Sequence, residues 1–282
     1  MLIVLSAGVM LLAFGLAGMH AERTSWLRMV QAVQTFAVFI LPAFIATACW
    51  SRTPLSDLRL NRPLPLVVAL LVPGLMLLAM PAINMLADWN SRVTLPECMA
   101  SLEAVLKAQE EEAQRLTELF LAADNVWQLL GNVCLMALLP AFGEEVCFRG
   151  TGLNLCLNGG RSDVVPSKKA VHVSVWGIAA LFSLIHFQFY GFVPRMLLGA
   201  LFGYMVLWTG SIWASVLAHF TNNAVAVVAY YICAHSSLSQ EAVDAFGTGD
   251  TMWAGWLSVV LTSAAIMLLW RVCQRQSSAP LP

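Results

Sequence analysis

The residues of this chain that could do chemistry fall into three short runs, each set in otherwise apolar sequence. The first is Gly143-Glu144-Glu145-Val146-Cys147-Phe148-Arg149. On a helix of 3.6 residues per turn, Glu145 and Arg149 are four apart and share a face, whereas Glu144 points about 100° away. Glu145 therefore has a ready salt-bridge partner and Glu144 has none, which suits Glu144 to exchanging protons with a bound water. The second run, Phe182-Ser-Leu-Ile-His186, places an aromatic ring one turn before a histidine. The third, His219-Phe-Thr-Asn222-Asn223, places a histidine one turn before an amide. Intramembrane His and Asn commonly hydrogen-bond between helices, so the second and third runs each have a structural reading. Three insertions of catalytic residue types on three separate apolar segments favour chemistry. A carboxylate and a histidine can deprotonate a water, while a second histidine and an amide can donate hydrogen bonds to a developing oxyanion. Amide hydrolysis needs both halves. The same side chains allow another use, because Glu144, His186 and His219 are adequate zinc ligands, although no HExxH spacing is present.

The elements that must position these residues are membrane helices. Of 282 residues, 59% are hydrophobic and 11% charged, with mean hydropathy +0.75, where a soluble domain carries about a quarter charged residues. Net charge is -1 and the basic residues are scattered, so no patch for nucleic acid forms. Eight apolar runs, at 1–19, 26–50, 64–87, 126–148, 171–192, 196–208, 212–233 and 252–270, predict an all-α polytopic protein of about eight transmembrane helices. The run at 1–19 lacks a basic leading segment and a cleavage site, so it reads as a retained span. The run at 196–208 is short enough to stay partly embedded. Pro42, Pro73, Pro81 and Pro140 fall inside runs, where neighbouring helices must re-satisfy the freed carbonyls. The seven cysteines show no CxxC spacing and read as small buried hydrophobes.

Positive charge is retained in the cytoplasm. With the long loop at 88–125 left out, Arg52, Arg59, Arg62, Arg161, Lys168, Lys169, Arg271 and Arg275 fall on one side, against Arg23, Arg28 and Arg195 on the other. That count places both termini and the Glu144 end of the fourth run at the cytoplasmic face, and the compact loops point to a bacterial cytoplasmic membrane. Arg195, at the start of the sixth run, is expected to snorkel to the surface. The long polar loop at 88–125 should hold an amphipathic helix near 95–124, started by a capping box at Thr94-Leu-Pro-Glu97. Met99, Leu102, Leu106, Ala113, Leu116 and Phe120 are expected on one face, opposite Glu103, Glu110, Glu111 and Glu112. A solvated surface helix is the plain account, with docking of a substrate or partner as the alternative. The organisation expected is one integral membrane domain over 1–282 with its motif-bearing core at 126–233.

Taken together, Glu144-Glu145-x-x-x-Arg149, Phe182-x-x-x-His186 and His219-x-x-x-Asn223, in that order on apolar helices, resemble the three motifs of the CPBP intramembrane protease family. That family includes the eukaryotic CAAX prenyl endopeptidase and bacterial bacteriocin-processing and self-immunity proteins. The Phe148-Arg149-Gly150 and Ala218-His219-Phe220 neighbourhoods are similar to it as well. The resemblance implies helices around a cavity open to the cytoplasm, with Glu144 and His186 activating water and His219 and Asn223 forming the oxyanion hole. Glu145, Arg149 and Phe182 would support them, although Asn222 beside Asn223 leaves open which amide faces the cavity. It implies a peptide or protein substrate at the lipid bilayer and no required cofactor, zinc on Glu144, His186 and His219 being the alternative. Two other function classes compete. One is a non-catalytic immunity or scaffold protein of the same family. The other is a proton-coupled small-solute transporter, which the lack of an internal repeat disfavours. Nothing in the sequence names the substrate or an oligomeric state.

Overall fold

In the computed structural model residues 24–159 and 165–277 are described, and every regular element among them is a helix. We label these α1 (24–50), α2 (Leu66–Ser91), α3 (Ala100–Leu121), α4 (126–158), α5 (Lys168–Leu184), α6 (Phe192–Thr209), α7 (Trp213–Ala234) and α8 (Met252–Ser277). Six segments are long and apolar enough to cross a bilayer, falling on α1, α2, α4, α6, α7 and α8 with their flanks. The chain is an all-helical, multi-pass membrane protein. Helix α5, at 17 residues, is shorter than those six, yet it runs antiparallel along α6, with Ala179 against Gly199 and Val175 against Gly203. The expected run at 1–19 lies outside the described residues, and the expected count of eight is not reached among them. The run read as short at 196–208 is longer in the structure, because the turn Phe189–Gly191 feeds into α6 and the apolar segment extends over Phe189–Thr209.

Two ends of the bundle are defined by hydrogen bonds between helix termini. At one end Arg28 Nη2 donates to the Ala122 carbonyl, and Asn90 ties α2 to α6 by donating to the Phe189 carbonyl and accepting from Val193 N–H. This is the α3 end. At the other, Arg59 Nη1 donates to the Val206 carbonyl, Ser211 Oγ to the Arg62 carbonyl and Trp213 Nε1 to the Leu60 carbonyl. Between them Val68, Val72 and Met76 of α2 pack with Met205 of α6 and Leu269 of α8 in a closed core. Leu66, Leu70, Trp127 and Val260 stand exposed on the outside. Apolar residues on inner and outer faces alike are what a helix between protein and lipid requires.

Three of the four prolines are accommodated in two ways. Pro42 and Pro140 each follow a stretch wound with wider i→i+5 turns, Thr35–Ile40 and Val133–Leu138, which re-registers the carbonyls that a proline leaves without a donor. Around Pro81 a neighbouring helix intervenes: Ser258 Oγ of α8 donates to the Leu78 carbonyl and accepts from Ala82 N–H. A hydroxyl inserted in the ladder lets α2 continue unbroken over Leu66–Ser91.

Three expectations need correction here. Only Cys273 is buried; Cys49, Cys98, Cys134 and Cys156 are exposed and none of the seven is in a disulfide, because in a membrane protein the outward apolar face is as hospitable to a thiol as the core. The capping box does not form. Thr94 makes no cap; instead Glu103 Oε2 accepts from Leu95 N–H at 3.1 Å and pairs with Lys107 at 2.8 Å, contacts that hold the Glu103 carboxyl below its ordinary pKa, the Lys107 hydrogen bond first. The helix starts after a tight turn at Glu97–Met99. Of the face expected inward, Leu106, Ala113, Leu116 and Phe120 are half-buried, but Met99 and Leu102 are exposed. Glu103, Leu106, Glu110 and Ala113 face inward while Leu102 is exposed, since residues three and four apart share a stripe and Glu110 must follow Leu106.

Candidate active site

The three runs converge in the interior, between α4, α5, α6 and α7. Glu145 ends the regular first part of α4, and a wide-turned stretch, Val146–Gly152, carries Arg149. Arg149 Nη1 donates to Glu145 Oε1 at 3.0 Å, with both side chains fully buried, and Nη2 donates to the Gly199 carbonyl at 3.0 Å. Gly199 is needed there, because a Cβ would lie 2.9 Å from Arg149 Nη2. The guanidinium carbon sits 4.4 Å from the centre of the Phe182 ring, a cation–π contact in a desolvated setting. His219, from α7, reaches the same carboxylate with Nδ1 2.9 Å from Glu145 Oε1. Its ring is stacked on Phe202 and meets Phe182 edge-on. An ionised carboxylate only accepts hydrogen bonds, so Nδ1 of His219 carries a proton and Nε2 points on towards Glu144 Oε2, 3.9 Å away.

Glu144 keeps 13% of its side chain exposed, where Glu145 keeps none. His186 lies just past the end of α5. The backbone N–H of His186 bonds to the Ser183 carbonyl, so the Phe182 carbonyl loses its usual helical partner and accepts from His186 Nδ1 at 2.7 Å. A carbonyl cannot donate, hence Nδ1 holds the proton and Nε2 of the neutral ring is free to take one. The next residue, Phe187, has φ +53°, a left-handed conformation uncommon for a bulky side chain. Glu144 and His186 share surroundings: each is within electrostatic reach of His219, Arg149 and Arg195.

Asn223 is one turn beyond His219 on α7. Asn222 Nδ2 donates to Asn223 Oδ1 at 3.3 Å, so the Asn223 amide protons remain for another acceptor, and Asn222 itself faces a cavity of ≈ 500 Å³ on the α2 side of α7. No contact among the described residues ties Asn223 to Glu144 or His186. For zinc, no three His, Cys, Asp or Glu side chains of the described residues lie close enough together to hold one ion. Glu144, His186 and His219 do not fit a conventional three-ligand set as they stand.

Arg195 is the residue that sequence reasoning misplaced. Its side chain is half-buried, with the guanidinium turned back over Gly191. Nη2 donates to Gln188 Oε1 at 2.7 Å, Nη1 is buried without a partner, and Glu110 of α3 and Glu144 lie in electrostatic range. Gly191 makes the position possible, since a Cβ there would come within 2.9 Å of the guanidinium. An ionisable residue inside the apolar run that follows His186 was the available signal.

Beside this cluster, at the α3 end, lies a largely apolar cavity of ≈ 350 Å³, lined among others by Leu106 and Gln109 of α3 and by Leu184, Phe187 and Phe192. The family model for type II CAAX prenyl endopeptidases, Rce1-like, matches residues 126–225. Over this segment, about a third of the chain, the sequence is similar to that family. The CAAX endopeptidase-like segment includes Glu144, Glu145, Arg149, Phe182, His186, His219 and Asn223, and leaves α1 to α3 and α8 outside it. No curated protein and no solved structure matches the chain significantly.

Proposed function

We propose that this protein is an intramembrane endopeptidase that hydrolyses a peptide bond of a membrane-associated peptide or protein. The observation that carries the reading is the pairing of environments at Glu144 and His186. One is a carboxylate outside the buried ion pair, the other an imidazole whose hydrogen bond to the Phe182 carbonyl leaves Nε2 free, and both face His219, Arg149 and Arg195. Glu144 and His186 take the proton from a water, and the resulting hydroxide attacks the scissile carbonyl carbon. His219 Nε2–H and the Asn223 amide donate to the oxyanion. The proton taken from water then passes to the leaving amine as the C–N bond breaks. For His219 to donate from Nε2 while Nδ1 bonds Glu145 Oε1, its ring must carry both protons, a charge that Glu145 and Glu144 oppose with their own.

The apolar cavity next to His186 suits apolar substrate residues, and the family's name makes a prenylated peptide one candidate. The test is peptide mass spectrometry on cells carrying the wild type or Glu144→Ala. A cleaved product present only with the wild type is expected and would identify the substrate; identical peptide inventories overturn the endopeptidase reading in favour of a scaffold or immunity role.

A further inference from the structure

We propose that Arg195 binds a carboxylate carried by the peptide substrate, at a place that Glu110 of α3 faces when no substrate is present. The inference rests on the endopeptidase reading, which supplies the peptide.

A structural arginine in a membrane interior is expected to satisfy its terminal N–H groups with carboxylates or carbonyls, as Arg149 does with both Nη groups, on Glu145 and the Gly199 carbonyl, leaving only Nε unmatched. Arg195 does not. Among the described residues its one hydrogen-bond partner is the neutral Gln188, and its Nη1 is buried and unmatched. Across from it Glu110 Oε2 is likewise buried without a partner. The two groups lie in electrostatic range and no hydrogen bond joins them among the described residues, so each retains capacity for a third group. The ligand chemistry follows from what Arg195 offers: a planar, permanently charged fork recognises a carboxylate better than any other group a peptide carries. Position gives the rest. Gln188, which anchors Arg195, also lines the apolar cavity beside His186, and Arg195 is in electrostatic reach of Glu144 and His186. A peptide with apolar residues in that cavity and a carboxylate on Arg195 would thus run past the water-activating pair. Glu110 can yield its place, because α3 is largely exposed on its outer face. The carboxylate is either the peptide C-terminus or an acidic side chain.

The experiment measures binding and cleavage of three N-dansylated peptides by the full chain purified in detergent: Leu-Ala-Leu with a free C-terminus, Leu-Ala-Leu amide, and Leu-Asp-Leu amide. Binding of the wild type, read by fluorescence anisotropy, should favour at least one carboxylate peptide over Leu-Ala-Leu amide by tenfold or more, and the preferred one names the source. Arg195→Gln should abolish the preference, Arg195→Lys should keep part of it, and Glu110→Gln should strengthen it severalfold. Equal binding of all three by the wild type overturns the proposal, and so does a preference that survives in Arg195→Gln. Should Arg195→Gln not fold, the wild-type comparison and Glu110→Gln still decide: an unchanged or weaker preference in Glu110→Gln counts against it. Preference without cleavage overturns the endopeptidase reading and leaves the carboxylate site standing; cleavage without preference does the reverse.

Discussion

His219 Nδ1 and Arg149 Nη1 converge on one oxygen, Glu145 Oε1, at 2.9 and 3.0 Å. Two cationic or potentially cationic groups from different helices therefore depend on a single buried carboxylate, and Glu144, its neighbour in sequence, takes no part in that triad beyond the 3.9 Å approach to His219 Nε2.

The two glutamates should consequently fail in different ways. Glu145→Gln removes the charge between Arg149 and His219 and leaves a buried guanidinium uncompensated, a loss of about 3–5 kcal/mol. Thermal unfolding in detergent should show a large fall in midpoint. Glu144→Gln should unfold like the wild type and lack activity. A strongly destabilised Glu144→Gln beside a stable Glu145→Gln would reverse the assignment.

Removal of an oxyanion donor is the next case. Asn223→Ala should cost about 2.7–4 kcal/mol of transition-state stabilisation, or roughly 100- to 1,000-fold in kcat, with little change in KM. Asn222→Ala should be mild, because Asn222 faces the cavity on the other side of α7. Metal analysis by mass spectrometry on the same active preparations supplies the contrast: stoichiometric zinc together with near-normal Asn223→Ala turnover would sink the metal-free mechanism.

Orientation in the membrane follows from the basic residues, eight against three, and predicts a cytoplasmic C-terminus with α3 on the opposite side. Cysteine labelling at Gln109→Cys, exposed on α3, and at Ser278→Cys checks it; Gln109→Cys should react only from the non-cytoplasmic side. The cavity beside His186 is at the α3 end, so this count and a cytoplasm-facing cavity require opposite orientations. The Gln109 result decides between them.

Ser258→Ala should destabilise the α2–α8 pair by about 1–3 kcal/mol, since the Leu78 carbonyl and Ala82 N–H lose a shared partner in a medium without water. Ser258→Thr should retain most of the stability, as it keeps the hydroxyl. Equal melting of Ser258→Ala and wild type would show that the two groups find another arrangement.

The parts of this site legible in the sequence are those set by local periodicity. Glu145 and Arg149, four apart, pair as helical phase requires. The bond between Glu145 and His219 spans 74 residues and has no local signature, so no periodicity argument could reach it. Helix α3 shows the reverse failure: its phase was available, but apolar residue types were given precedence over spacing, and Glu103 and Glu110 were placed on the wrong face. Arg195 sits near a span end, where an arginine ordinarily snorkels outward, but the glycine four residues earlier leaves room for it to turn inward.

The anchoring of His186 on the Phe182 carbonyl has a consequence for how the protein can change over generations. Where the orienting partner of a reactive imidazole is a side chain, a single codon change can delete it, as it can delete Glu145 from His219. A main-chain oxygen is present whatever residue occupies position 182, so no point substitution elsewhere deletes it. Genetic drift can thus reach the orientation of His219 directly, whereas it reaches that of His186 only by altering where α5 ends. Random mutagenesis should accordingly recover loss-of-function changes at the Glu145 contact more often than at the ring's own support.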